Sequence, residues 1–232
     1  KDRLISSLFG DIFFYSFPFD HLTFGYASGH KIYSWNPYIF LGQPLINHPG
    51  SPLFYPLNLI FFFLPLHLAF NYSFLLNTVF CGIAIYLYLR YLSQGRFSGL
   101  LAAVIFMFNG VALLHIYGGH LPTMQALPWL AILFLFTEMC LRKKTLLPAL
   151  LAGLALGIQF LAGNPQYFFY TVIAVSAYFL FSAFLNYIRD KDKKQLKFYL
   201  SSYATLILIG LGIAAIKLIP SLEFTSMSDR TA

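Results

Sequence analysis

The chain has 232 residues, of which 59% are hydrophobic and only 10% are charged, and its mean hydropathy is +0.70. A soluble domain carries about 25% charged residues because its surface faces water, so this composition excludes a water-soluble globular protein. The net charge of +7 resides mostly in short loops between apolar stretches. That distribution argues against a nucleic-acid partner, which requires a basic face in water. We therefore predict an all-α protein of the lipid bilayer, a polytopic bundle of transmembrane helices.

The first predicted unit, residues 1–71, is a long loop that carries interfacial helices. Residues 1–50 are mixed in polarity and include three Asp. In 52–66, the apolar run between Pro56 and Pro65 has only eight residues, whereas a helix needs roughly 20 residues to cross a hydrocarbon core. We therefore predict an interfacial or re-entrant helix near 52–66, bounded by prolines, and not a seventh span.

The second unit, residues 72–219, contains six apolar stretches long enough to cross the bilayer. Backbone polar groups in lipid must pair within their own segment, which favours helices. Cys81 and Cys140 fall inside these stretches, and we predict packed thiols, not a disulfide. Residues 220–232 begin another loop, and because the chain starts without Met and ends abruptly, we interpret it as a fragment. The predicted spans lie near residues 72–90, 98–116, 124–141, 146–163, 167–187 and 199–219.

Basic residues are confined to alternate loops. The loops at 118–123 and 163–166 contain no Lys or Arg. By the positive-inside rule the basic loops are cytoplasmic, which places 1–71 and 220–232 outside. The basic loops follow the first, third and fifth spans and hold ten of the fifteen Lys and Arg: Arg90, Arg96, Arg142, Lys143, Lys144, Arg189, Lys191, Lys193, Lys194 and Lys197. All six histidines then fall on the outer side, where we expect the polar chemistry: His21, His30, His48, His67, His115 and His120.

Several short motifs occur in a distinctive order. As a set that covers nearly the whole chain, they resemble the YfhO-like bacterial membrane proteins, which are similar to a branch of the C-type glycosyltransferase (GT-C) superfamily. Asn164 departs from the pattern, in which we expect His at this position. The motifs are Gly10-Asp11-Ile12, Phe17-Pro18-Phe19, Trp35-Asn36-Pro37-Tyr38, Gly42-Gln43-Pro44-Leu45, Phe54-Tyr55-Pro56-Leu57-Asn58, His120 and Leu161-Ala162-Gly163-Asn164-Pro165-Gln166.

The resemblance implies a multi-pass enzyme of the bacterial cytoplasmic (inner) membrane, with residues 1–71 and 220–232 extracytoplasmic. Such an enzyme moves a sugar, with inversion, from a polyprenyl-phosphate donor to a cell-envelope acceptor, a glycopolymer or a lipid, at the outer face. Members of the superfamily differ in their use of metal. We therefore assign no cofactor and leave a divalent metal open.

Such a transfer needs a base, and the sequence offers two carboxylates. Asp11 is the first candidate, because the resemblance places it where C-type enzymes have their catalytic acidic residue. Its apolar neighbours also predict partial desolvation, which favours a base. The alternative role for Asp11 is a helix N-cap. Asp20, followed by His21, is the second candidate and would bind the metal or the acceptor; the alternative is a solvated side chain.

Cations that could hold the donor phosphate are few on the outer side. Lys31 and Lys217 are the candidates, together with His120 in its Gly-Gly-His loop. Lys217 lies near the end of the last span, so its alternative role is to snorkel to the headgroups. A lone loop histidine is more often neither a phosphate donor nor a metal ligand, and this alternative stays open for His120.

Trp35, Asn36 and Tyr38 are candidates for sugar binding, because aromatic faces stack on sugar rings and an amide both donates and accepts hydrogen bonds. The alternative is an interfacial aromatic anchor with an Asn-Pro turn. Gln166, at the start of a helix on the outer side, either reaches the site or caps that helix.

Glu138 and Arg142 lie four residues apart near the cytoplasmic end of a span. This spacing predicts an i,i+4 ion pair, and we assign it a structural role.

Two other functions are open alternatives. A transporter or flippase for a lipid-linked glycan predicts ionisable residues at the midplane of the spans, and the predicted spans hold almost none. A non-catalytic scaffold for envelope assembly predicts that the outer carboxylates and cations do not converge.

Overall fold

Helices dominate the part of the chain that the structure, a computed structural model, describes: residues 4–5, 10–26, 29, 32–38, 41–45, 48 and 50–226. The α-helices within it confirm the predicted all-α fold. They are α1 (Phe17–Thr23), α2 (Leu66–Tyr91), α3 (Arg96–Met107), α4 (Gly110–Gly118), α5 (Leu121–Lys143), α6 (Leu147–Leu161), α7 (Pro165–Asp190) and α8 (Lys193–Ser226).

Shorter elements occupy the N-terminal part. A π-helical turn, Ile12–Ser16, leads into α1. Strands β1 (Trp35–Asn36) and β2 (Gln43–Pro44) pair antiparallel, with Trp35 opposite Pro44. A 3₁₀ helix, Pro56–Phe62, lies within the stretch 52–66. With seven residues it is too short to cross a bilayer, and its position at the interface stays a prediction.

Within the described residues, five helical segments are long and apolar enough to cross a membrane: α2, α3 together with α4, α5, α7 and α8. The chain is therefore that of a multi-pass membrane protein, as predicted. The sixth predicted span, near 146–163, corresponds to α6, which has 15 residues. At 1.5 Å per residue, α6 is about 22 Å long, shorter than the roughly 30 Å of a hydrocarbon core.

Helix α6 is enclosed by its neighbours, chiefly α5 and α8. A Cβ atom on Gly153 would lie 2.7 Å from Cβ of Ile209, and one on Gly157 would lie 2.5 Å from Cβ of Ile213. Small residues of this kind allow membrane helices to approach closely. Because protein surrounds most of α6, its length does not have to match the thickness of the lipid.

The second predicted span, near 98–116, is broken at Asn109 into α3 and α4. The Oδ1 atom of Asn109 accepts from the backbone N–H of Ala112 at 2.9 Å and so caps α4. Its Nδ2 atom donates to the carbonyl of Phe106 at 2.7 Å. The side chain thus forms hydrogen bonds with backbone groups that the break in the helix leaves unpaired, and such pairing is required for a break at membrane depth.

The bundle has two ends of different character. The basic end holds the loops at 91–96, 143–147 and 190–193, and the opposite end holds the loops at 118–121 and 161–165.

The N-terminal segment covers the opposite end. Ile12, Phe24 and Phe61 are buried in one cluster with Phe70 of α2 and Met124 of α5. The rings of Phe24 and Phe61 stack with their centroids 4.7 Å apart. This cluster attaches the π-helical turn, α1 and the 3₁₀ helix to the transmembrane helices, so it positions whatever these elements carry.

A buried polar network also holds the same segment against α2 and α5. The hydroxyl of Tyr55 donates to Oδ1 of Asn77 at 3.1 Å and accepts from Nε1 of Trp129 at 3.1 Å. The Nε2 atom of Gln125 donates to Oδ1 of Asn58 at 2.6 Å. Since an unpaired polar group in this environment is costly, the network holds residues 55–58 in one register on α2 and α5.

Two smaller predictions are also confirmed. Cys81 and Cys140 are buried thiols without a disulfide. Nε of Arg142 binds Oε1 of Glu138, which is the predicted i,i+4 pair.

Candidate functional site

A cleft of about 470 Å³ opens at the opposite end of the bundle, between the N-terminal segment and the loops before α5 and α7. We call it the Asp11 cleft. Three of the predicted site residues, Asp11, His120 and Gln166, lie together in its wall. Its complete lining is Asp11, Tyr15, Ser16, Gly50, Gly119, His120, Pro122, Thr123, Gly163, Asn164, Pro165 and Gln166.

Asp11 begins a chain of four hydrogen-bonding side chains. Oδ2 of Asp11 lies 3.1 Å from Nε2 of His120. Nδ1 of His120 lies 2.9 Å from Nδ1 of His115, and Nε2 of His115 lies 3.3 Å from the hydroxyl of Tyr167. One assignment satisfies every group: Tyr167 donates to His115, His115 donates to His120, and His120 donates to the carboxylate.

Two expectations for Asp11 need correction. Its side chain is 70% exposed, so the desolvation expected from its apolar neighbours does not occur. Those neighbours point elsewhere: Ile12 is buried, while Phe13 and Phe14 are exposed. The alternative role as an N-cap is also wrong in its geometry, because the carboxylate makes no capping hydrogen bond and faces His120 instead.

The loop before α5 holds Asp11 and His120 at this distance. Gly119 adopts a left-handed conformation with φ of +81°, and a Cβ atom there would lie 2.5 Å from Cβ of Ile12. Gly10 is equally close, since its Cβ would lie 2.6 Å from the carbonyl oxygen of Gly118. The two glycines therefore allow the N-terminal segment to lie directly on the loop.

Asn164 and Thr123 form the far wall of the cleft. Oδ1 of Asn164 accepts from the backbone N–H of Tyr167 at 3.1 Å and caps α7. Its Nδ2 atom donates to Oγ1 of Thr123 at 2.8 Å. Gln166 is not the cap; its Nε2 atom donates to the hydroxyl of Tyr170 at 2.9 Å. Tyr170 is 54% exposed on α7, so the cleft adjoins the outward surface of this helix.

Lys217 lies behind this wall and is completely buried, with 0% exposure. Its Nζ atom donates to the carbonyl of Ser51 at 2.7 Å. A Cβ atom on Gly163 would lie 3.5 Å from Nζ, so the amine nitrogen of Lys217 lies behind Gly163, one of the residues that line the cleft. The alternative role of snorkelling to the headgroups is therefore wrong, since the N-terminal segment covers the side chain.

Asp20 is buried in α1, with 5% exposure, so its alternative as a solvated side chain is wrong. Burial raises the pKa of its carboxyl well above the usual value. Asp20 lines a small cavity of about 20 Å³ that shares Tyr15, Ser16, Gly50 and Pro122 with the Asp11 cleft. The two predicted carboxylates therefore lie in adjoining cavities.

Tyr15 lines both cavities, and its hydroxyl is paired with His48. Burial, and then the charges of Asp20 and Asp11, raise the pKa of Tyr15 to about 12. Nδ1 of His48 accepts from the backbone N–H of Gly50 at 3.0 Å, so Nε2 is the protonated nitrogen of the neutral ring, and it lies 3.2 Å from the Tyr15 hydroxyl. Burial, and then the charge of Lys217, lower the pKa of His48.

The predicted sugar-binding residues lie elsewhere. Asn36 and Tyr38 line a separate, mostly apolar cavity of about 290 Å³ against α1. The indole of Trp35 covers Gly42, where a Cβ atom would lie 2.5 Å from Cζ2. These side chains are not brought to the Asp11 cleft. Lys31 lies outside the described residues.

Several residues of the site were not singled out from the sequence. His115 and His48 carried a signal, because both were assigned to the outer side. Tyr15, Thr123 and Tyr167 carried none, since a hydroxyl in an apolar context is ordinary. Among the described residues, no three His, Cys, Asp or Glu side chains form a group that could hold a metal.

Comparison with known proteins finds no match: no protein-family model, no curated protein and no solved structure is similar to this chain. The resemblance to YfhO-like proteins therefore stays a prediction.

Proposed function

We propose that this chain belongs to a membrane glycosyltransferase that moves a sugar from a polyprenyl-phosphate donor to a cell-envelope acceptor. The observation that carries the proposal is the convergence of the Asp11 carboxylate with two histidines, His120 and His115, at the end of the bundle away from the basic loops, with the buried Lys217 behind the wall of the same cleft. By the positive-inside rule that end faces the outside of the cytoplasmic membrane. The non-catalytic scaffold predicts no such convergence.

The proposed chemistry begins with the acceptor. Its hydroxyl oxygen attacks the anomeric carbon of the donor sugar, and its proton passes to the carboxylate of Asp11. His120, at 3.1 Å from Asp11, orients this carboxylate and is itself held by His115. Asp11 is exposed within the cleft, so an acceptor from water reaches it without a rearrangement of the bundle.

The bond between the anomeric carbon and the phosphate oxygen breaks in the same step, and negative charge develops on the departing polyprenyl phosphate. A preorganised positive group stabilises such charge best where water is excluded. We assign this role to Lys217, because its side-chain nitrogen lies behind Gly163 of the cleft wall and is shielded from water; an approaching phosphate favours the protonated form of this amine. The adjoining exposed face of α7, with Tyr170, gives the lipid tail an apolar path.

A transporter for a lipid-linked glycan is the main rival. It predicts ionisable groups in the middle of the spans. In the described helices the buried charged side chains lie away from the middle: Glu138 in the last third of α5 toward the basic end, and Lys217 in the last third of α8 toward the opposite end. The placement favours chemistry at one face over passage through the bundle.

The test is Asp11→Asn in the intact protein, in membranes supplied with undecaprenyl phosphate that carries a radiolabelled hexose. We expect transfer to the envelope fraction to fall by roughly 10²- to 10⁴-fold, the usual contribution of a general base. Asp190→Asn at the basic end is the matched control and should leave the rate unchanged. Full activity of the Asp11 variant, or no transfer by the unmodified protein, would contradict the proposal.

A further inference from the structure

A second cavity lies at the basic end and is larger than the Asp11 cleft, at about 550 Å³. Helices α5, α7 and α8 form its walls. Its polar lining includes Arg142, Lys144, Ser182, Asn186, Arg189 and Gln195. The proposed transfer reaction uses none of these residues.

The floor of this cavity is a neutralised carboxylate. Glu138 is 8% exposed, and it accepts hydrogen bonds from Nε of Arg142 and from the hydroxyl of Tyr178. The contact with Glu138 uses only Nε of the Arg142 guanidinium group. Its two terminal nitrogens make no hydrogen bond to any described residue, and the side chain is 48% exposed. Arg142 is thus fixed in place with donors left for a ligand.

Lys144 is also held in position at the rim. Its Nζ atom donates to Oε1 of Gln195 at 3.0 Å. Nε2 of Gln195 donates to the hydroxyl of Tyr199 at 2.7 Å, and this hydroxyl donates to the carbonyl of Leu141 at 3.2 Å. The amide partner is neutral, so the charge of Lys144 is not compensated by that contact.

The cavity also reaches the lipid-facing surface. Leu185 lines it and is 49% exposed on α7. Phe181, Phe184 and Ile188 on the same helix are 61%, 55% and 45% exposed. A ligand with an anionic head and apolar tails therefore finds both surfaces side by side, cations inside the cavity and hydrocarbon-compatible side chains outside it.

We propose that this cavity binds the phosphodiester headgroup of an anionic phospholipid. Arg142 and Lys144 bind the phosphate, Ser182 and Asn186 bind headgroup hydroxyls, and the acyl chains lie along α7. Basic pockets between transmembrane helices at the cytoplasmic side suit such headgroups. The volume is within the range of roughly 300–1,000 Å³ of small-molecule sites. This inference is independent of the proposed transfer reaction.

The experiment is native mass spectrometry of the intact, detergent-purified protein with added phosphatidylglycerol. Lys144→Gln and Arg142→Gln should each weaken binding by about fivefold, the usual effect of one cation near an anionic headgroup. Lys143→Gln is the matched control, because Lys143 is exposed beside Lys144 but does not line the cavity. We expect it to change the affinity by less than about twofold.

Two further measurements distinguish binding of an anionic phospholipid from binding of any phospholipid and from binding of a free phosphate ester. Phosphatidylcholine, which carries no net charge, should bind at least about fivefold more weakly than phosphatidylglycerol. Glycerol 3-phosphate, which lacks tails, should not compete at millimolar concentration. Equal binding of the two lipids, or tight binding of glycerol 3-phosphate, would overturn the assignment.

Arg142→Gln leaves the buried Glu138 without its cation and risks misfolding. Ser182→Leu therefore serves as a second variant that fills the cavity and keeps every charge. It should reduce phosphatidylglycerol binding and leave the melting temperature of the lipid-free protein unchanged. Unaltered lipid binding by this variant would place the lipid outside the cavity and contradict the proposal.

Discussion

The two ends of the bundle hold their charged groups in different ways. At the opposite end, charged groups pair across long stretches of sequence: Lys217 binds Ser51, and Asp11 binds His120. At the basic end, ion pairs are local, with Glu138 four residues before Arg142 and Arg189 next to Asp190. The contacts at the opposite end therefore depend on the tertiary fold. At the basic end the ion pairs depend on one helix, and only the neutral partners, Tyr178 for Glu138 and Gln195 for Lys144, come from other helices.

The difference separates two uses of charge in a membrane protein. Exposed local pairs contribute little to stability, and for the cations at the basic end we propose roles in membrane orientation and headgroup binding. A buried ammonium group such as Lys217 is costly unless it is paired, and its partner is a neutral carbonyl. Retaining such a group at the opposite end calls for a functional reason.

Within the comparison of the two ends, the largest effect is expected from one substitution, Lys to Met, made at either end of α8. Lys217→Met removes the charge and keeps the length of the side chain. We expect the transfer rate to fall by roughly 10²-fold, since a preorganised positive group is lost. The free energy of unfolding should change by less than about 3 kcal/mol, because removing a buried charge offsets leaving the Ser51 carbonyl unpaired.

Lys197→Met is the control for this comparison. Lys197 is exposed near the start of α8, toward the basic end, and its loss should leave both the transfer rate and the melting temperature unchanged. If Lys217→Met stabilised the protein and kept full activity, the buried cation would have no catalytic use and the contrast between the ends would fail.

The second effect is a pH dependence that only the opposite end should show. Burial raises the pKa of Asp20, so the folded protein keeps a proton that the unfolded chain has lost. Between the ordinary pKa and the raised pKa, stability should therefore fall by about 1.4 kcal/mol per pH unit as the pH rises. Asp20→Asn, a neutral side chain of the same shape, should remove this slope.

The measurement is the melting temperature of Asp20→Asn and of the unmodified protein from pH 4 to pH 8. The advantage of the variant should grow with pH, whereas Asp190→Asn, at the exposed basic end, should show no such gain. His48 has the opposite effect on the pH dependence of stability. Because its pKa is lowered in the folded protein, stability falls as the pH falls and the ring becomes protonated. A constant difference between Asp20→Asn and the unmodified protein across the range would show that Asp20 is ionised throughout.

The basic end was more predictable from the sequence than the opposite end. Helix positions and the alternation of Lys and Arg follow from composition averaged over about 20 residues, and the pair of Glu138 and Arg142 follows from helical spacing. The break at Asn109 and the short length of α6 do not. Each depends on a few residues, Asn109 as a cap and Gly153 and Gly157 as contact points, and such local features leave no periodic signal.

The sequence predicted at which end of the bundle the candidate site lies, but not the contacts between its residues. Asp11, His120 and Gln166 were expected together and share one cleft. The pairing of Lys217 with Ser51 joins residues 166 positions apart, and it arises only when the N-terminal segment folds over the bundle. Trp35, Asn36 and Tyr38 were expected to bind the sugar because aromatic faces stack on sugar rings and an amide both donates and accepts hydrogen bonds. Asn36 and Tyr38 instead line a different cavity against α1, and Trp35 covers Gly42.

The smallest expected effect concerns how the N-terminal segment is held at the opposite end. Gly119→Ala places a methyl group 2.5 Å from Cβ of Ile12 on a backbone with φ of +81°. We expect a loss of about 1–3 kcal/mol in the free energy of unfolding, from left-handed strain and overpacking. Because the clash pushes Asp11 away from His120, the transfer rate should fall more than the loss of folded protein explains.

Gly110→Ala provides the comparison at the other terminus of α4. A Cβ atom on Gly110 meets no atom within 4 Å, so alanine should be neutral or stabilise by up to about 1 kcal/mol through its better helix propensity. The pair of variants thus makes one chemical change at both termini of one helix. If both altered melting temperature and transfer rate alike, the contact between Gly119 and Ile12 would not position Asp11, and the cleft would have to be held by the buried network around Tyr55 alone.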